Sequence, residues 1–308
     1  MIYDLIIIGG GPAGITAGIY GARQKLNILL ITKDFGGQLN KKAIDINNYP
    51  GLSGISGLEL VQKFQAHLEK QKIDIEKDEV GKIEKKGENF LVSTENKVFE
   101  SRTVIIASGV DPRPLEVPGE KEFIGKGVSY CSICDGPMFK DKTVAVIGGG
   151  NSAFETAIFL SKIVKKIYIL EYNPEVNAFK DNQEVVEKMG KAEIITNAAL
   201  KKIEGDKFVN SITYQDRVTK QEKTLSVEGV FVEIGYDPAT SFVKGLVDFN
   251  ERDEIKVDFE NYKTKTPGLF AAGDVNVGRY KQVITACGEG AKAALAAFEY
   301  LYKQSHED

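Results

Sequence analysis

Two strand–turn–helix units with matching glycine patterns, opening at Gly9 and Gly148, predict an α/β fold of two Rossmann-like domains, one inserted in the other. A third segment supports the insertion. The apolar stretch 268–275 ends in Gly273-Asp274 ahead of a long C-terminal helix, and this returns the chain to its first domain. At roughly 150 residues per domain, 308 residues suit two domains. The boundaries are placed so that residues 1–114 and 246–308 form one domain and residues 115–245 the other.

The first unit begins with Tyr3-Asp4-Leu5-Ile6-Ile7-Ile8, a short apolar run that reads as a buried parallel strand. Gly9, Gly11 and Gly14 follow at the spacing of a dinucleotide-binding turn, with Pro12 and Ala13 between them and a helix after. Gly9 permits the tight turn, Gly11 lets the backbone approach a pyrophosphate, and Gly14 lets helix and strand pack closely. The helix N-terminus offers free N–H groups to phosphates. The next strand, 27–31, ends at Thr32-Lys33 with no carboxylate before Asp34, which weakens a ribose contact on this side.

The second unit repeats the scheme with Gly148, Gly150 and Ala153, and Asn151 and Ser152 open its helix. Its second strand, 166–170, ends at Glu171, where an acid accepts hydrogen bonds from a ribose diol and repels a 2′-phosphate. Residues 172–179 contain no Arg or Lys, although a 2′-phosphate site favours Arg. The second site therefore reads as one for NAD(H), with a surface Glu at a strand end as the plain alternative. In the C-terminal segment, Asp274 suits a hydrogen bond to a flavin's ribityl chain. The helix beginning near Gln282 suits the flavin's pyrimidine edge. Read in isolation, Gly-Asp is more often a turn than a ligand.

Three cysteines cannot staple a secreted domain, because one is left over. Cys131-Ser132-Ile133-Cys134 has the C-x-x-C spacing of a redox pair. A zinc site would need two more ligands, and only Cys287, His67 and His306 are on offer beyond carboxylates. Asp135 is either a proton-relaying acid beside the pair or a turn residue before Gly136-Pro137. Cys287 reads as a small core residue. Charged residues are balanced, 40 basic against 44 acidic, which argues against a nucleic-acid surface. No apolar run reaches the roughly 18 residues of a membrane span, and no leader pattern precedes the first strand. The expectation is a cytoplasmic protein with no metal, no nucleic acid and no membrane among its partners.

The stretches GGGPAG (9–14), FGGQL (35–39), NNYPG (47–51), YCSICDG (130–136), GGGNSA (148–153) and GLFAAGDV (268–275) run in order along nearly the whole chain. In this the chain resembles low-molecular-weight thioredoxin reductases. It is most similar to the reductase portion of the flavoprotein component of alkyl hydroperoxide reductase, through residues 134–153, Glu171 with Pro174-Glu175, and residues 280–293. The resemblance implies FAD in the first domain, a nicotinamide dinucleotide in the second, paired β-linkers between them and a homodimer. It assigns residues 9–14, Gln38, Asn48, Gly109, Gly273, Asp274, Lys281, Gln282 and Val283 to FAD. Gly148, Gly150, Asn151, Ser152, Ala153 and Glu171 go to the nicotinamide cofactor. Cys131 is assigned to attack on the substrate, Cys134 to the flavin side and Asp135 to proton transfer.

Two departures sharpen the expectation. NADPH-specific thioredoxin reductases carry His-Arg-Arg-x-x-x-Arg where this chain has Glu171-Tyr172-Asn173 and Asn177, which favours NADH. The peroxide-reductase flavoprotein also has an N-terminal redox domain, whereas this chain starts at the FAD strand, so the electron acceptor is expected to be a separate thioredoxin- or glutaredoxin-like protein. The function expected is transfer of electrons from NADH through FAD and Cys131–Cys134 to that protein's disulfide. A flavin-dependent dithiol oxidase using O₂, a reductase with another electron donor and a non-enzymatic redox sensor stand as alternatives.

Overall fold

In a computed structural model of the chain, which describes residues 1–39, 46 and 48–304, strand β1 (Ile2–Gly10) leads directly into helix α1 (Pro12–Arg23). Asn47 of the NNYPG stretch and His306 lie outside the described residues. Two compact units form, residues 1–111 with 236–308 and residues 112–235. The return to the first unit falls ahead of position 246 because Ala239 is bound to the first unit's backbone. It accepts from Ser108 Oγ at 2.7 Å, and its N–H donates to Gly109 O.

In the first unit, β1 lies between β2 (Ile28–Phe35) and β6 (Val98–Ile106), parallel to both. Strand β2 runs four residues beyond the predicted strand end, since its pairing with β1 resumes at Gly10 and Phe35. Asp74–Glu76 (β3) adds a parallel edge, and Leu269–Ala271 (β17) pairs with the end of β6. Asn89–Thr94 (β5) and Val80–Lys86 (β4) extend β6 as an antiparallel meander. The chain leaves this sheet through β7 (Val110–Pro112) and returns through β16 (Tyr236–Pro238), and these two short strands pair with each other.

Side chains of β1 alternate between two cores, as a strand covered on both faces requires. Leu5 and Ile7 pack with α1 and with α6 (Val283–Gln304), while Ile6 and Ile8 pack with Phe90, Val104 and Ile106. Helix α2 (Gly57–Glu69) starts on a capping box of Ser56 and Glu59, and it adds Leu60 and Leu68 to the first of these cores.

The second unit is built on a parallel sheet in the order β11 (Ala192–Ile195), β10 (Lys166–Leu170), β9 (Thr143–Ile147), β15 (Gly229–Val232), β8 (Val128–Ser129). Strands β11, β10, β9 and β15 have the 3-2-1-4 arrangement of a nucleotide-binding sheet, with β8 added at the edge and ligands expected beyond the carboxyl ends of the strands. Val144 and Val146 face helix α4 (Asn151–Leu160), where Phe154 is fully buried; truncating it to Ala would cost about 3–5 kcal/mol. Helix α5 (Lys180–Lys188) contributes Val186 to the same core. Ala145 and Ile147 face a second core shared with the antiparallel sheet β12 (Ala198–Gly205), β13 (Val209–Asp216) and β14 (Glu222–Ser226). No helix among the described residues is long and apolar enough to cross a membrane.

Candidate functional site

Backbone sterics fix the first glycine turn. Gly9 has φ +115°, and a Cβ there would stand 2.2 Å from Ala107 O; one on Gly14 would stand 1.9 Å from Gly9 O. A Cβ on Gly11 would meet nothing within 4 Å. The turn is therefore closed against the sheet and open on its outer side. Pro12 occupies the first turn of α1, and no side chain caps its N-terminus, so the first N–H groups remain available to an anion.

Around this turn the chain gathers residues from distant segments. Asn48 Nδ2 donates to Gln282 Oε1 at 3.1 Å. Gln282 directly precedes α6, which starts at Val283. Gln38 donates through Nε2 to Val110 O at 2.8 Å and Asp111 Oδ1 at 2.6 Å, beside Gly109, while its buried Oε1 has no hydrogen-bond partner. Gly273 N–H donates to Glu289 Oε2 at 2.8 Å. Asp274 retains some exposed surface, but its carboxyl is enclosed and burial pushes it up to about 6, against the pull of Lys281. The Lys281 ammonium is committed within the chain, at 2.8 Å from Asp274 O, 2.5 Å from Asn276 O and 2.9 Å from Glu254 Oε1. An ammonium has three N–H donors, so its side chain acts here as a brace for the loop 274–276. Cys287 is buried beside Thr16 and Tyr49; burial pushes its thiol up, and burial pushes Tyr49 up to about 12.

The second turn repeats the geometry. Gly148 has φ +130°, and a Cβ would lie 2.3 Å from Glu233 O, whereas one on Gly150 would meet nothing within 4 Å. Helix α4 again has no side-chain cap; Ser152 is partly exposed on its first turn and Ala153 is buried. Asn151 Oδ1 accepts from Phe179 N–H at 2.7 Å, and Asn177 and Ala178 N–H donate to Gly149 O, so the loop after β10 is seated on the turn. Glu171 is buried at 8% exposure. Its Oε1 accepts from both N–H and Nδ2 of Asn173 at 2.7 Å, which leaves Oε2 toward Gly149.

Nothing in the local sequence pointed to Arg217. It leaves the β13 end, stacks 3.8 Å over the Tyr172 ring and donates to Tyr172 O at 2.9 Å. The loop that lacks a basic residue in sequence thus receives one in space.

Cys131 and Cys134 are disulfide-bonded at the short helix α3 (Ser132–Asp135), with Cys134 exposed and Cys131 partly so. Ser129, at the end of β8, accepts from Cys131 N–H at 3.1 Å and donates to Asp135 Oδ2 at 2.6 Å. Burial raises the Asp135 carboxyl and the Ser129 bond opposes it. Asp135 is therefore more than a turn residue: it is an enclosed acid tied to the backbone of the first cysteine.

Two open glycine turns, each after a parallel strand, with a disulfide in the second unit, are the arrangement expected of the class of dinucleotide-binding disulfide oxidoreductases. The chain belongs to the pyridine nucleotide-disulphide oxidoreductase family, whose profile matches residues 3–290. It is 42% identical over 302 residues to a protein of Bacillus subtilis named NADH dehydrogenase, and 42% identical over 303 residues to a component of the alkyl hydroperoxide reductase of Staphylococcus aureus. Each match covers 98% of this chain and 59% of the relative, so the chain spans about three fifths of those proteins' length. Thioredoxin reductase of Streptococcus pyogenes superposes with a TM-score of 0.93 at 38% identity, covering 98% of this chain and 99% of that one.

Membership implies FAD and a pyridine nucleotide, and the residues fit both. The unpartnered Gln38 Oε1 awaits a donor, and open space lies over Gly11 and Gly150 at uncapped helix N-termini.

Proposed function

We propose that the chain is a disulfide reductase with NADH as its preferred donor, FAD as its flavin and a thioredoxin- or glutaredoxin-like protein as its substrate. Residues 9–14, Gln38, Asn48, Gly109, Gly273, Asp274, Lys281, Gln282 and Val283 would hold FAD, with Lys281 also bracing the loop. Gly148, Gly150, Asn151, Ser152, Ala153 and Glu171 would hold the nicotinamide dinucleotide. FAD, when bound, supplies two-electron chemistry between a nicotinamide and a disulfide.

The observation that carries the reading is the Cys131–Cys134 disulfide with the enclosed acid Asp135 beside it. Once the pair is reduced, the Cys131 thiolate attacks one sulfur of the substrate disulfide and the other sulfur leaves as a thiolate. Cys134 then attacks Cys131, releasing the substrate's second sulfur and restoring the Cys131–Cys134 bond. The substrate gains two electrons and, with Asp135 passing protons, two protons. Homodimeric assembly and a cytoplasmic location complete the proposal.

Preference for NADH rests on Glu171, an acid fixed by Asn173 where a 2′-phosphate would stand. Arg217 on Tyr172 favours a second reading, in which NADPH is also accepted. Anaerobic mixing of the flavoprotein with each nucleotide tests both. Rapid bleaching of the flavin by NADH alone supports the first, bleaching by both supports the second, and bleaching by neither overturns the nicotinamide assignment.

A further inference from the structure

A partly buried acid that sequence motifs do not mark stands two hydrogen bonds from Ser132, the residue directly after Cys131. Glu233 follows β15 at the second turn; its N–H donates to Ile147 O, and its carbonyl is the atom that excludes a Cβ from Gly148. Thr156, on α4, donates to Glu233 Oε1 at 2.8 Å. Thr156 Oγ1 also lies 3.0 Å from Ser132 Oγ, and Ser132 is the buried residue directly after Cys131. A hydroxyl has one proton to give. With the Thr156 proton directed at Glu233, the Ser132 proton is directed at Thr156, so the three side chains form one directional chain ending on the carboxylate. Protonating Glu233 removes the acceptor at its end and lets the direction reverse.

We propose that Glu233 is a positioning residue for Cys131–Cys134, coupled to the pair through Thr156 and Ser132 so that disulfide reduction and protonation of Glu233 favour one another. The inference rests on the reading of Cys131–Cys134 as the working redox pair. Burial holds the Glu233 carboxyl up near 7, Thr156 opposes this and Glu155, the preceding residue on α4, reinforces it. Glu155 is the charged group that acts on it; Asp135 on α3 is tied to Ser129, and the Arg113 side chain lies against Gly235, two residues after Glu233. At neutral pH the disulfide takes two electrons and one proton to give a thiol and a thiolate. The electrons come from a dithiol or from the reduced nicotinamide cofactor. The new negative charge disfavours a second one nearby, and Glu233 answers by binding a further proton from solvent.

The test is the reduction equilibrium of Cys131–Cys134 in the purified flavoprotein against reduced and oxidised dithiothreitol. It is read anaerobically by alkylation and mass spectrometry from pH 5.5 to 8.5. Glu233→Gln should match the wild type at pH 5.5, where both side chains are neutral, and favour the reduced pair about tenfold at pH 8, some 30 mV for a two-electron couple. Thr156→Val takes a hydrogen bond from the charged carboxylate, so it should move the pH at which the wild-type curve departs from the Gln curve upward; Thr156→Ser should restore it. If Glu233→Gln fails to fold, the Thr156 variants are compared with the wild type directly. Thr156→Val should move the bend in the wild-type pH curve upward and Thr156→Ser should return it, and a bend that stays in place in Thr156→Val overturns the coupling. Curves that coincide throughout, or that differ equally at every pH, overturn the coupling. A wild-type pair that neither dithiothreitol nor NADH reduces overturns the reading of the pair, and this inference with it.

Discussion

Ser129 Oγ donates to Asp135 Oδ2 at 2.6 Å, tying the acid that follows the redox pair to the strand that precedes it. That bond stabilises the carboxylate, while burial favours the neutral acid. Removing it with Ser129→Ala should therefore raise the acid further and move the corresponding inflection in the kcat profile to higher pH. Asp135→Asn, which keeps the shape and loses the proton, should slow disulfide reduction by about a hundredfold or more. An inflection that stays in place in Ser129→Ala would assign it to another group.

The two kinds of glycine in the first turn should fail differently. Gly14→Ala drives a Cβ to 1.9 Å from Gly9 O, a backbone atom that cannot yield cheaply, so low expression or a large loss of thermal stability is expected. Gly11→Ala adds its methyl to open space and should fold with a change within about 0.5 kcal/mol, yet bind flavin poorly because the methyl stands where a pyrophosphate would approach. Absorbance at the flavin band together with apoprotein melting separates these outcomes. Full flavin content in Gly11→Ala would place the pyrophosphate elsewhere.

These turns were legible in the sequence because their cause is local: only small residues at positions 9, 14 and 148 avoid backbone collisions that neighbours in the same unit impose. Strand 166–170 was legible because Ile167, Ile169 and Leu170 are apolar and favour the sheet interior, where all three are buried. What stayed hidden depends on chain crossings. Arg217 arrives at Tyr172 from the end of a meander whose hairpin pairing no motif announces. Thr156 and Glu233 meet only because β15 inserts between β9 and β8 in the sheet. The brace that Lys281 forms over residues 274–276 has no signal in the sequence, because two of its acceptors are backbone carbonyls.

On the proposed function, Glu171 and Arg217 would act in opposite directions on nucleotide choice, so their variants should move the NADH-to-NADPH ratio of kcat/KM in opposite senses. Glu171→Gln keeps an acceptor for Asn173 while removing the charge, and should lower the ratio by about tenfold. Arg217→Ala removes the cation stacked on Tyr172 and should raise the ratio. A ratio unchanged in both would mean that the loop after β10 does not face the ribose.

Lys281 offers the most demanding test of the flavin-side loop. Its ammonium is paired with Glu254, both side chains being largely buried at 20% and 12% exposure, and it also holds two backbone carbonyls. Lys281→Met preserves length and apolar stem but leaves the Glu254 carboxylate bonded to Asn250 Nδ2 without its cation, so a loss of about 3 kcal/mol is expected. The loss should depend on pH. Lys281 holds Asp274 below the value that burial alone would give, so in the Met variant Asp274 binds its proton more tightly and resists ionisation. At pH 5.5 a protonated Asp274 needs no cation. At pH 8 the Asp274 carboxyl must ionise without that cation, and the destabilisation should be larger. Melting temperatures of wild type and Lys281→Met at the two pH values, with flavin content measured in parallel, test this. A deficit equal at both pH values would show that Lys281 supports the loop through its backbone contacts and packing, with its charge contributing little.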